Sequence, residues 1–353
     1  MVSKFANISA IAIGLLLYSS ESLFMTALLP IFPLAAQKRN IKHFWIGLIC
    51  GCAYASSFIS SIIWPSIIKS NDQRHAYIVA AFFGGLFCIV FSISFFIDDS
   101  ILFISFCLLT RLINGMLISI VYACAIPVLT NIFPERSGSV ISALQASNYI
   151  GGTVGPAIAS GLYTLGNVKL PFLAIGIVQC VLSLAAIITP CYNPVPNFQK
   201  ELSNKVGKFD FFKYIIKPTL VGMSLLSICC GVLNGINVAC TAIFLKTKFS
   251  LNESNNWYIF VSYGISFVLL APFIGIMVDK GLAGILMIIS AVALPFVLVG
   301  LAMAQSIPLI ALAYMLQSIS GGIISNVSMV FFVKEADKCH FQDSSRRKCW
   351  LHL

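Results

Sequence analysis

Charge is what this chain has least of. Only 10% of its 353 residues are Asp, Glu, Lys or Arg, while 59% are hydrophobic; soluble proteins carry roughly 25% charged residues. So few charges cannot solvate the surface of a water-soluble globule, and that class is excluded. The twelve cysteines contain no Cys-x-x-Cys pair, and ten of them lie in or beside apolar stretches, so they read as small apolar packing residues rather than a redox or metal framework. In the C-terminal segment Cys339, His340, Cys349 and His352 match none of the usual zinc-finger spacings, and neither a metal nor a cofactor is expected. Walker A, HExxH and GxSxG patterns are absent, which leaves ATP-driven transport and the common membrane hydrolases without support. With no convergent pair of catalytic groups visible, a polytopic membrane enzyme is disfavoured.

What the chain does have is apolar blocks of the length that crosses a hydrocarbon core, about 20 residues each. They are continuous rather than alternating, so they are helices and not the strands of a membrane barrel. Ten spans are expected, near residues 8–32, 44–68, 76–97, 101–129, 138–164, 170–190, 218–245, 257–279, 283–304 and 308–333. The first carries Glu21 and lacks a small-residue cleavage site before the second, so it reads as a retained span, not a signal peptide. The fold class is an all-α polytopic membrane protein. Its expected organisation is an N-terminal six-span bundle (1–190), a cytoplasmic linker (191–217), four further spans (218–333) and a polar, basic tail (334–353).

The net charge of +10 is better explained by membrane topology than by nucleic acid, because most basic residues sit at span ends and in loops. With the N-terminus in the cytoplasm, that side holds 15 Lys and Arg, among them five in the linker and five in the tail, and the other side holds six. This follows the positive-inside bias, although Lys38, Arg39 and Lys42 go against it. Asn252 in Asn-Glu-Ser falls in a loop on the non-cytoplasmic side and is a candidate glycosylation acceptor.

Two ionisable residues stand inside apolar runs, Glu21 in the first span and Arg111 in the fourth. Charges at that depth persist only where they face protein or a water-filled cavity. For Glu21 two readings stand side by side: a neutral carboxyl bonded to a neighbouring Ser, or an exchangeable site. In a cavity open to alternate sides, one carboxyl can hold a proton or a cationic substrate but not readily both, and that competition is antiport.

Three motifs carry a family resemblance. Arg111, Asn114 and Gly115 stand at i, i+3 and i+4 and resemble the RxxxG signature in the fourth span of major facilitator proteins. One span later, Gly151, Gly155 and Pro156 in GGTVGPAIASG resemble the antiporter motif GxxxGPxxGG; plain small-residue helix packing is the other reading. Between spans 8 and 9, Gly275, Asp279 and Lys280 in GIMVDKG resemble the loop motif GxxxDR. In the first span, Glu21, Thr26, Pro30 and Pro33 in ESLFMTALLPIFP are similar to the acid-x4-T-x3-P-x2-P stretch of vesicular amine transporters. In that family the acid is an Asp implicated in recognising the amine. The first loop and second span, and YGISFVLLAPFIGIMVDK further on, resemble the polyamine-type branch.

The resemblance implies a major facilitator fold and a proton-coupled antiporter of small organic cations such as polyamines or monoamines, in a secretory vesicle or other endomembrane in preference to the plasma membrane. Glu21 is then the proton and cation site, with Asn148, Asn234 and Asn237 as polar substrate contacts. Arg111, Asn114 and Gly115 would organise the cavity wall, and Gly151, Gly155 and Pro156 a close seam between the halves. Partners are the substrate, protons and membrane lipid. Some features depart from the pattern: Pro65 and Lys69 stand where the loop after span 2 normally carries Gly and Asp, and span 7 has Asn234 and Asn237 in place of an acid. The family architecture of two six-helix bundles against six plus four spans here leads to the expectation of a C-terminally truncated chain. The alternative function is a non-transporting scaffold or regulator of a full-length homologue.

Overall fold

A solvent without hydrogen-bonding capacity forces each apolar run to close its backbone bonds internally, and the computed structural model has no strand among its described residues. It describes residues 2–37, 39–68, 72–130, 132, 136–165, 168–188, 218–249 and 257–350. Within these, side chains at 2–8, 29, 30, 34, 37, 43, 65, 66, 137, 234–247, 249, 257–260 and 332–350 are outside the description. The helices are α1 (Val2–Gln37), α2 (His43–Ile67), α3 (Gln73–Ile93), α4 (Ser100–Thr130), α5 (Ser137–Leu165), α6 (Lys169–Ile188), α7 (Pro218–Phe249), α8 (Trp257–Asp279), α9 (Ala283–Met303) and α10 (Ile307–Trp350). Eight are long and apolar enough to span a membrane. The two expected spans not among them are α5, whose sequence is rich in Ser, Thr, Gln and Asn, and α7, in which the apolar stretch with described side chains is Pro218–Leu233. Helix α10 does not stop near residue 333 but runs on through the polar segment.

The chain divides into two compact units, one of residues 1–135 and 146–207, the other of 136–145 and 208–353. The division cuts α5 near its start, so that its first turns belong to the second unit and the rest to the first.

In the first unit, α2 packs on α4, α3 on both α4 and α6, and α1 lies against α6, α4, α2 and α3. The α3–α6 contact is made backbone to backbone. A Cβ placed on Gly176 would stand 2.6 Å from Gly85 O, and one on Gly85 would stand 2.9 Å from Gly176 O. Lipid tails are as apolar as the helices, so such close packing, rather than a hydrophobic driving force, is what associates them. Towards the far ends of these helices, Phe24, Phe32, Phe91, Phe95, Phe103 and Phe172 form a buried aromatic cluster, with Phe95 and Phe172 stacked at 5.8 Å and Phe24 edge-on to Phe172 at 6.3 Å.

The α1–α2 turn explains Arg39, one of the basic residues that oppose the topology bias. Asn40 adopts the left-handed conformation (φ 57) after α1, and Ile41 N–H bonds Ala36 O at 3.2 Å. Arg39 beside it reaches the end of α3, where Nη2 donates to Phe95 O at 2.9 Å and Nη1 to Ile97 O. Its guanidinium lies 4.6 Å from the Phe103 ring centroid. Lys169 sits 3.1 Å from the Phe96 ring centroid. These cations satisfy and cover a helix C-terminus, where a positive charge is favourable.

In the second unit α10 is the hub, packing against α9, α8 and α7. Gly322 lies directly against the Phe267 ring, and Lys248 Nζ donates to Ala304 O at 2.8 Å, just past the end of α9. Helix α9 shows most of its apolar side chains to the outside, among them Phe296 and Met303 at 73% exposure each, as a lipid-facing helix does.

Gly176→Val places a branched side chain against the α3 backbone and is expected to destabilise the first unit by about 1–3 kcal/mol, read as a lower thermal midpoint in detergent. Gly47→Ala, where a Cβ meets nothing within 4 Å, leaves that midpoint unchanged.

Candidate functional site

Glu21 lies well inside α1 and is completely buried. Its partner is not a serine but Gln179 of α6, also completely buried: Gln179 Nε2 donates to Glu21 Oε1 at 2.6 Å and to Ala81 O of α3 at 3.1 Å. The close α3–α6 crossing at Gly85 and Gly176 brings this amide, one turn on from Gly176, to α3. Gly84 leaves the room; a Cβ there would stand 2.9 Å from Gln179 Nε2 and 3.1 Å from Glu21 Oε1. Glu21 Oε2 and Gln179 Oε1 have no hydrogen-bond partner.

Arg111 of α4 does not supply a countercharge to Glu21. It is 1% exposed, its Nη2 lies 3.3 Å from Met25 Sδ, and its guanidinium is 5.5 Å from the Phe24 ring centroid. Nε and Nη1 have no partner, nor has either side-chain polar atom of buried Asn114. Met25 is one turn beyond Glu21 on the same face of α1, so the carboxyl and the orphaned guanidinium address neighbouring positions along one helix. Gly115 is where α2 and α4 touch: a Cβ there would overlap Ala53 O and Ser56 Oγ.

The second motif packs α5 onto α1. A Cβ on Gly151 would overlap Ser19 O, and one on Gly155 would overlap Thr26 Oγ1 and come within 2.6 Å of Leu23 O. These glycines are thus where α5 crosses α1 closely. Pro156 follows within α5. Thr26 is occupied by its own helix, its hydroxyl donating to Ser22 O at 3.0 Å. One turn before Glu21, the Tyr18 ring lies tilted against Tyr122 with centroids 4.5 Å apart, and the half-buried Asn148 is beside both tyrosines.

Each residue of the third motif except Lys280 has a defined task in the second unit. Gly275 lets α8 approach the first turns of α5, where a Cβ would meet Ser142 Oγ at 2.9 Å and Ser139 Cα at 3.0 Å. Asp279 then caps that helix start: Oδ1 accepts Gly138 N–H at 2.9 Å, and Oδ2 accepts Ser139 N–H at 3.1 Å and the Ser139 hydroxyl. Gly281 (φ 85) closes α8, with Leu282 N–H on Met277 O at 3.0 Å and its own N–H on Val278 O at 3.1 Å, the paired bonds of a Schellman ending. Lys280 is exposed. Asn326 of α10 donates to Ser142 Oγ at 2.6 Å.

The side chains of Asn234, Asn237, Pro30 and Pro65, and Lys69, Asn252 and the tail's cysteines and histidines, lie outside the described residues. Sequence reasoning missed Gln179 and Gly84. The signal was present as a lone amide in the apolar run LPFLAIGIVQCVLSLAAII and a Gly-Gly pair in α3.

The profile of the Major Facilitator Superfamily matches residues 14–340. Among curated proteins, the MFS-type transporter SLC18B1 of human is 24% identical over 257 residues, and that of rat 22% over 251 residues; each comparison covers 71% of this chain and 53% of the relative. The chain thus spans about half the length of the curated relatives it matches. Among solved structures, the proton:xylose symporter XylE bound to 6-bromo-6-deoxy-D-glucose has a TM-score of 0.68 at 11% identity, covering 92% of this chain and 81% of that one. The human organic anion transporter MFSD10 (TETRAN) has a TM-score of 0.59 at 13% identity, covering 92% and 85%. At such identities these structures establish a shared fold.

Asp279→Ala removes a charged acceptor from two amides at the start of α5, and a loss of roughly 1–3 kcal/mol is expected. Amide hydrogen exchange at Gly138 and Ser139 should accelerate, with Asp279→Asn intermediate; exchange unchanged in both variants would show that the cap does not hold α5.

Proposed function

The chain belongs to the Major Facilitator Superfamily, a family of transporters rather than enzymes, and we propose that it exchanges small organic cations, polyamines or monoamines, for protons across a vesicular or other endomembrane with its N-terminus in the cytoplasm. The observation that carries this reading is one acidic side chain, Glu21, completely buried in α1 with a single neutral amide donor and no cation bonded to it. A buried negative charge is sustained only beside compensating charge or several donors. A protonated, neutral Glu21 fits that environment.

Coupling follows from what surrounds that carboxyl. When α1 shifts against α3 and α6 and water reaches Glu21, the proton leaves and the carboxylate needs a positive partner. Two are available: an ammonium group of the substrate, or Arg111, whose Nε and Nη1 lack partners one helical turn away. A cationic substrate competes with both the proton and Arg111, which makes proton release and cation binding alternatives at one site. Uncompensated donors cost about 1–3 kcal/mol each when buried, so the two unpartnered nitrogens of Arg111 favour an arrangement in which the guanidinium is neutralised. Asn148, beside Tyr18 and Tyr122, together with Asn234 and Asn237, would orient the substrate. Gly275, Asp279 and Lys280 would act in gating through the start of α5.

Uptake of labelled spermidine and serotonin into acidified proteoliposomes tests this. Glu21→Gln, a neutral isostere, should reduce proton-linked uptake to the level of empty vesicles while leaving folding intact. Full proton-driven uptake by that variant would remove Glu21 from the mechanism, and no uptake of any organic cation by the native chain would overturn the substrate assignment.

A further inference from the structure

We propose that Gln179 is the positioning residue that sets how firmly Glu21 holds its proton, acting as a donor whose polarity is locked by the backbone of α3. This rests on the reading of Glu21 as the proton site and adds the element that tunes it.

An amide side chain ordinarily presents either its C=O or its N–H to a neighbour. Here the choice is removed. Ala81 O can only accept, and it takes one N–H of Gln179 at 3.1 Å, so the same nitrogen must face Glu21, where it donates at 2.6 Å. Turning the amide over would set two carbonyl oxygens against each other. Gln179 therefore always offers Glu21 a donor, and a donor stabilises the charged carboxylate more than the neutral acid. Both partners are fully buried, so water does not substitute for it. Gly84 completes the device, since a side chain there would press on both Nε2 and Oε1. Gln179 also has a firm mount: Ser183 Oγ bonds its backbone carbonyl at 2.8 Å, and Gly176 holds α6 to α3.

The remaining titratable groups around this pair do not replace the donor. Helix α3 contributes the Cys88 thiol, which hydrogen-bonds Phe172 O at 3.1 Å, and α4 contributes Arg111, engaged with Met25, and Tyr122, whose ring lies against Tyr18. Helix α6 contributes Cys180, whose thiol lies 3.5 Å from Phe82 O; α2 contributes Cys50, Cys52 and Tyr54 on the Arg111 side; α5 meets α1 through Gly151 and Gly155.

The test reads the proton itself. A hydrophobic carbodiimide modifies a buried carboxyl only in its protonated form, so the extent of Glu21 labelling against pH, measured by mass spectrometry on purified full-length chain, follows proton occupancy. Glu21→Gln defines the background. Gln179→Met keeps the volume and removes the donor, and its labelling curve should move to higher pH by about one pH unit, as expected for the loss of one hydrogen bond to a charged group. Gly84→Ala, which displaces the pair from the α3 side, should move it the same way and serves if Gln179→Met does not fold. A curve superimposable on native, or one moved to lower pH, in a folded variant overturns the role of Gln179. Labelling is independent of transport, so failure here leaves the antiport reading standing, and absence of amine uptake leaves the labelling result standing.

Discussion

Close approach of helix backbones is the constraint on which the other features of this protein depend. In lipid there is no hydrophobic gain from bringing one apolar helix to another, so association rests on packing and on buried polar contacts. Two of the polar contacts of functional interest lie beside a glycine crossing. Gly85 and Gly176 bring α6 near enough for Gln179 to bridge Glu21 and Ala81, and Gly84 leaves the pair its space. Gly275 does the same for Asp279 at the start of α5. Side chains at these crossings would separate the helices and leave buried donors and acceptors unmatched, which costs more in lipid than in water.

The electrostatics follow from the same scarcity of solvent. With so few charges, each buried one has to be explained individually. Glu21 has one amide donor, Arg111 has a thioether and an aromatic face, and Asn114 has no partner for either polar atom. Such under-satisfied groups are stored strain, and two of them meet α1 one turn apart, Gln179 at Glu21 and Arg111 at Met25. Charges outside the core have structural tasks: Arg39 and Lys248 accept the role of helix caps, and Lys169 covers Phe96. That task accounts for Arg39, one of the three basic residues that a topology count alone reads as exceptions.

Much of the fold was legible in the residues. Apolar runs of span length, separated by short polar stretches, fall on helices among the described residues, eight of them long and apolar enough to span a membrane, and the isolated Glu21 and Arg111 were conspicuous because an apolar run makes any charge stand out. The motif around Asp279 was visible through its glycine and acid at fixed spacing. Less was legible where meaning depends on which side of a helix a residue occupies. Gly151 and Gly155 could have packed against any neighbour, and only the crossing with α1 decides that they seat on Ser19, Leu23 and Thr26. Gln179 was one polar residue among many until its height on α6 matched that of Glu21 on α1.

The sequence by itself determined that this chain lives in a membrane as a bundle of helices, and which few polar side chains must be buried there, because hydrocarbon admits only helices of a minimum length and penalises every charge it surrounds. The partners of those side chains were decided by tertiary structure alone. Glu21 and Gln179 are separated by 158 positions in the chain, Asp279 and Gly138 by 141, and no local rule of spacing relates residues so distant. Glycine crossings set the depth and rotation at which helices meet, and a hydrogen bond is short enough that a displacement of about one ångström makes or breaks it.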